Sequence, residues 1–79
     1  MQGAFVGNRR PASKKAFREA VQADADNCWL EATSVFGDEY SGTVADAPSG
    51  TYSVVGPDPY RDRRWYATVT KRDGKVTVK

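Results

Sequence analysis

The chain has 79 residues, enough for one domain and close to the size at which a single core first holds together without disulfides or metal. Twenty-eight per cent of its residues are charged and its net charge is only +2, so neither a membrane protein nor a strongly polyionic tail is expected. It has no histidine and one cysteine, Cys28, which excludes imidazole general bases, His-dependent triads, an intramolecular disulfide and an ordinary structural zinc site.

The modest net charge conceals a segregation. Arg9, Arg10, Lys14, Lys15 and Arg18 against Glu19 give residues 1–22 a charge of +4. Residues 23–60 carry Asp24, Asp26, Glu31, Asp38, Glu39, Asp46 and Asp58 with no base, giving −7, and residues 61–79 return to +5. Such blocks either attract one another in the folded state or present a field of one sign to a partner. Large aliphatics are scarce, with one Leu, no Ile and nine Val, so the two Trp, four Tyr and three Phe must supply much of the buried area. A core of valine and aromatics favours sheet.

In chain order, residues 1–10 lack periodicity and read as a flexible arm, with Ala4-Phe5-Val6 able to add a short strand. Residues 11–79 read as a single α+β domain. Ser13 is a suitable N-cap for a helix over about 13–24, in which Ala16, Phe17, Ala20 and Val21 share one face. Lys14, Lys15 and Arg18 sit in its first turns, where the helix dipole favours acids, though Lys15 and Glu19 are spaced to pair at i, i+4.

Cys28 to Phe36 alternates as a strand, with Cys28, Leu30, Ala32, Ser34 and Phe36 inward and Trp29, Glu31, Thr33 and Val35 outward. Gly37 to Gly42 is a glycine-bracketed loop in which Asp38 and Glu39 precede an exposed-looking Tyr40. Short strands follow at Thr43–Ala45 and Thr51–Val55, separated by the turn Pro48-Ser49-Gly50. Pro57 and Pro59 remove two backbone donors, so Gly56–Arg63 is expected to be an ordered connection displaying Tyr60 and Arg61, not a central strand.

The strongest local signal comes last. Asp73-Gly74 lies between two Val/Thr runs and supplies the positive φ angles of a two-residue type I′ hairpin. That turn pairs Arg72 with Lys75, Lys71 with Val76, Thr70 with Thr77, Val69 with Val78 and Thr68 with Lys79. Alternation then puts Trp65, Ala67, Val69, Val76 and Val78 on a core face, and Arg64, Tyr66, Thr68, Thr70, Arg72, Lys75, Thr77 and Lys79 on a wet one. The architecture expected is α+β: one amphipathic helix packed on an antiparallel sheet of four or five strands that ends in a C-terminal β-hairpin, with a small Greek-key or SH3-like barrel as the alternative.

Carboxylates are plentiful, but no spacing forces a pair together on one element, and no calcium-loop pattern is present. The chain therefore reads as a non-enzyme with no cofactor and no metal. Two surfaces are candidates for binding. Asp38, Glu39 and Tyr40, together with Tyr60 and Arg61, suit a protein partner. Arg64, Tyr66, Arg72 and Lys75 combine cations with an aromatic, as phosphate contact and base stacking require. The same composition is also that of an ordinary solvated strand pair.

The strings Thr33-Ser34-Val35-Phe36-Gly37-Asp38-Glu39-Tyr40, Val54-Val55-Gly56-Pro57-Asp58-Pro59-Tyr60 and Arg64-Trp65-Tyr66-Ala67-Thr68-Val69 resemble segments of small orphan proteins of actinobacterial phages, mycobacteriophages especially. The likeness covers residues 12 to 79 and carries no catalytic motif. It implies an accessory protein acting in the cytoplasm of a host bacterium and binding a host protein; the residues themselves offer nucleic acid as the alternative partner, no long apolar run for a membrane, and a core small enough for self-association to help.

Overall fold

The computed structural model describes residues 2–33 and 40–79. Where Asp38 and Glu39 lie, and where Ser34, Val35 and Phe36 were expected to continue a strand, is outside the described residues. The elements are β1 (Gly3–Val6), α1 (Lys14–Ala23), a 3₁₀ turn (Ala25–Asn27), β2 (Cys28–Glu31), β3 (Gly42–Thr43), β4 (Gly50–Asp58), β5 (Asp62–Arg72) and β6 (Lys75–Val78). The fold is α+β, with one helix and two antiparallel three-stranded sheets, ordered β1-β2-β3 and β4-β5-β6.

In place of the single sheet of four or five strands expected from sequence, the described strands form two sheets, and the N-terminal arm, expected to be flexible, supplies one strand and a bridge between them. Residues 3–6 are a strand paired with β2 from Gly3–Glu31 to Val6–Cys28, and Gln2 and Ala4 are buried. Gln2 also bridges to Val54 in parallel: its N–H donates to the Ser53 carbonyl (2.8 Å) and its carbonyl accepts from the Val55 N–H (2.9 Å). β1 thus stitches one sheet to the other. Among the described residues β3 pairs only with β2 and β6 only with β5, so no strand pair closes a barrel.

Helix α1 starts where its cap dictates. Ser13 is extended and its hydroxyl accepts from the Ala16 N–H at 3.1 Å, satisfying a donor that the first turn leaves open, which contributes about 1 kcal/mol. Phe17 and Val21 are buried and Ala20 packs at the edge of the core, whereas Ala16, expected on the same stripe, is exposed. The apolar face is narrower than the spacing suggested. It lies on β5 and β6 and closes one core with Ala4, Cys28, Leu30, Val44, Val54, Trp65, Ala67, Val69 and Val78.

Trp65 organises that core. Its ring stacks on Phe17 at 5.6 Å between centroids, and its Nε1–H donates to the Pro11 carbonyl at 3.1 Å. Gly56, opposite Trp65 across the β4–β5 pair, leaves the space that the indole fills.

The segment expected as a loop is instead the end of a hairpin. β4 continues through Pro57 to Asp58, β5 starts at Asp62, and only Pro59, Tyr60 and Arg61 turn the corner. Gly56 pairs with Trp65 but Pro57 with Arg63, leaving Arg64 as the extra residue of a bulge; a proline, which lacks an N–H, is tolerated where the ladder is already interrupted. The tip is held by Asp58 Oδ1 accepting from the Tyr60 N–H (2.9 Å) and by Arg63 Nε donating to the Pro59 carbonyl (2.7 Å). Pro59 is buried against β1, where a Cβ on Gly3 would lie 2.8 Å from its Cγ and 2.8 Å from Arg10 Nη1.

Candidate functional site

β5 is the middle strand of its sheet, flanked by β4 from Gly50–Lys71 to Asp58–Asp62 and by β6 from Val69–Val78 to Arg72–Lys75. The β5–β6 register is the one that the Asp73-Gly74 turn demands, with φ of +52° at Asp73 and +81° at Gly74. Thr68 and Lys79 exchange both backbone hydrogen bonds. Alternation then sorts the side chains from Arg64 to Val69: Trp65, Ala67 and Val69 are buried, and Arg64, Tyr66 and Thr68 are exposed.

The outward face of this ribbon brings Arg64, Tyr66, Arg72 and Lys75 onto one surface, with Lys79 beside them. Tyr66 is 51 % exposed. Towards the turn, Thr70, Arg72, Asp73, Lys75, Thr77 and Lys79 line an open depression of about 520 Å³. Arg64 is paired with Asp62 at 2.9 Å, but Arg72, Lys75 and Lys79 make no ion pair or side-chain hydrogen bond with any described residue. Asp73 is the single acid on the rim. Three uncommitted cations and an aromatic on one rigid strand pair form an anion-facing surface.

Lys71, one residue from this face, is used differently. It points to the core side and its Nζ donates to the Val44 and Ala45 carbonyls, tying β5 to the turn after β3.

The other candidate surface is not assembled in the same way. Tyr40, expected to be displayed, is half-buried: its ring packs near Tyr52 (5.9 Å), its hydroxyl donates to the Thr43 carbonyl (2.9 Å), and its own carbonyl accepts from the Gln2 side-chain amide. Tyr60 and Arg61 are exposed at the β4–β5 tip, Tyr60 at 64 %. Sequence reasoning also missed a third feature, in which Arg10 lies 4.0 Å over the Phe5 ring and pairs with Glu31 at 2.9 Å. Nothing in an arm without periodicity points to that contact.

No family model, curated protein or solved structure matches the chain. The reading of its surfaces therefore rests on its own geometry. Among the described residues no three His, Cys, Asp or Glu side chains gather as a metal site would require, and no helix is long and apolar enough to cross a membrane.

Cys28 is fully buried, and its Sγ–H donates to the Asp24 carbonyl at 3.4 Å. Burial, assisted by the negative charge of Asp24, pushes its thiol up to about 11 from 9.0. Because the folded state holds this proton more tightly than the unfolded chain, the contribution to stability is complete below pH 9 and is lost as pH rises through 11. Urea titrations at pH 8 and pH 10.5 should show a larger drop for the native chain than for Cys28→Ala, which removes this one titration from the comparison. Equal drops would mean that the thiol is not held protonated by the fold.

Proposed function

We propose that this chain is a small non-catalytic nucleic-acid-binding module that uses the outward face of β5 and β6. The observation that supports it is the open depression of Arg72, Lys75 and Lys79, free of ion pairs to described residues and on the same outward face as half-exposed Tyr66. Cations without partners among the described residues break no ion pair when they meet phosphate, and each releases counterions from the nucleic acid. The resemblance to small actinobacteriophage proteins supplies the setting, an accessory protein acting in the cytoplasm of a host bacterium.

A second reading, binding of a host protein, is favoured by one feature. Tyr60 stands 64 % exposed with Arg61 on a hairpin tip fixed by Asp58 and Arg63, and a rigid exposed tyrosine is a common interface anchor. It ranks second because Tyr40, its intended companion, is occupied within the fold.

Fluorescence anisotropy with a labelled mixed-sequence oligonucleotide tests the first reading. Binding should weaken linearly in log–log coordinates with salt, with a slope of about −2 for three phosphate contacts to a single strand. Arg72→Glu with Lys75→Glu should abolish most of that slope while leaving the circular dichroism spectrum intact. No binding at low salt by the folded native chain would remove the proposal.

A further inference from the structure

Resting on that reading, we infer that the nucleic acid bound is single-stranded, with one base stacked on Tyr66 and its phosphates carried across Arg72, Lys75 and Lys79. The dimensions of the sheet decide against a duplex. A B-form major groove is about 12 Å wide and admits a helix or a two-stranded ribbon. Here β4 accompanies β5 along its length from Gly50–Lys71 to Asp58–Asp62, so the ribbon never stands alone. Three backbones spaced about 4.8 Å apart, with half a spacing on each side, occupy about 14 Å. The helix packs on the reverse of β5 and β6 and thickens the element further. A duplex would touch this face only through its backbone, leaving Tyr66 no base to meet.

A single strand has unpaired bases to offer. Tyr66 lies on the central strand, and Val55, opposite it on the same face, is fully buried. The phenol is thus backed by an apolar neighbour while half of its own surface stays open, which is the form of a stacking platform. Lys79, which exchanges both backbone bonds with Thr68, brings the near end of the depression two residues from Tyr66, and Arg72 lies six residues along the strand, about 20 Å at the usual rise, so one extended strand spans platform and depression. Thr68 and Thr70 lie between them with small neutral side chains that leave the path clear.

The test compares an eight-nucleotide deoxythymidine oligomer with a sixteen-base-pair duplex, both labelled, in the same buffer. The oligomer is expected to bind more tightly, and Tyr66→Ala to weaken it about tenfold to a hundredfold, with Tyr66→Phe close to native because the ring remains. Tyr66 points away from the core, so circular dichroism and the urea midpoint should be unchanged in both variants. Duplex binding as tight as single-strand binding, sensitive to Arg72→Glu and indifferent to Tyr66→Ala, would overturn the single-strand inference and leave the nucleic-acid reading standing. Failure of both probes to bind the folded chain would overturn both.

Discussion

Trp65→Ala is expected to cost about 3–5 kcal/mol, read as a shift in the urea midpoint at constant slope. A chain of 79 residues has about 4–12 kcal/mol of stability in total, so the variant should lose from about a quarter to all of that margin. Three losses coincide. The cavity opens beside Phe17, whose ring is stacked on the indole at 5.6 Å; the Pro11 carbonyl loses its donor; and the segment ahead of α1 loses the contact that fixes it to β5. Trp65→Phe keeps a ring against Phe17 while removing the bond to Pro11 and the part of the indole that lies over Gly56, so it should cost less than the alanine variant. A double-mutant cycle with Phe17→Ala should return a coupling of about 0.5–1.5 kcal/mol for the aromatic pair. Tyr66→Ala, one residue along and facing the other way, should stay within about 0.5 kcal/mol of native. Equal costs at positions 65 and 66 would contradict the alternation on which the binding surface depends.

Gly56→Val is the second large effect, and its origin is the reverse, too much matter in place of too little. A Cβ at position 56 would lie 2.3 Å from Trp65 Cζ2 and 2.5 Å from Cε2, well inside contact distance. These are atoms of a stiff ring, and its retreat is blocked by Phe17 on one side and by the bond to Pro11. Overpacking of a well-filled core costs about 1–3 kcal/mol and sometimes more, and the geometry here belongs at the upper end. At about 4–8 °C per kcal/mol for a domain of this size, differential scanning calorimetry should find a melting temperature at least 12 °C lower. A neutral outcome would mean that the indole has a second seat.

Two further features of the fold separate what local chemistry dictates from what distant neighbours decide. The C-terminal hairpin was legible because Asp73-Gly74 fixes turn type, turn type fixes register, and register fixes which of Trp65 and Tyr66 is buried. The start of α1 was legible for the same reason, since Ser13 caps the helix through a bond three residues away. β1 was not. Gly3-Ala4-Phe5-Val6 carries a weak strand pattern, and its partners at residues 28–31 and 53–55 leave no mark on the segment itself. The glycines show the same division: Gly74 announces a turn, whereas Gly3 and Gly56 are needed because Pro59, Arg10 and Trp65 come close from elsewhere in the chain.

The binding surface follows that rule. Arg64, Tyr66, Arg72 and Lys75 could be grouped from sequence because a single hairpin carries them all. That Arg72, Lys75 and Lys79 lack partners among the described residues, while Lys71 spends its charge on two carbonyls, is a property of the assembled sheets. Tyr40 was misjudged because two flanking acids suggested solvent, whereas its ring sits near Tyr52 and its hydroxyl completes the Thr43 carbonyl.

The seam made by Gln2 and its neighbours has a kinetic meaning. Its hydrogen bonds join residues about fifty positions apart, so the loop that must close is about two-thirds of the chain, and such closures come late. Until then β4 presents an open edge, and that edge accepts the N-terminal segment of another molecule as readily as its own. Exchange of that first strand between two copies is the misassembly that this topology invites during refolding at high concentration.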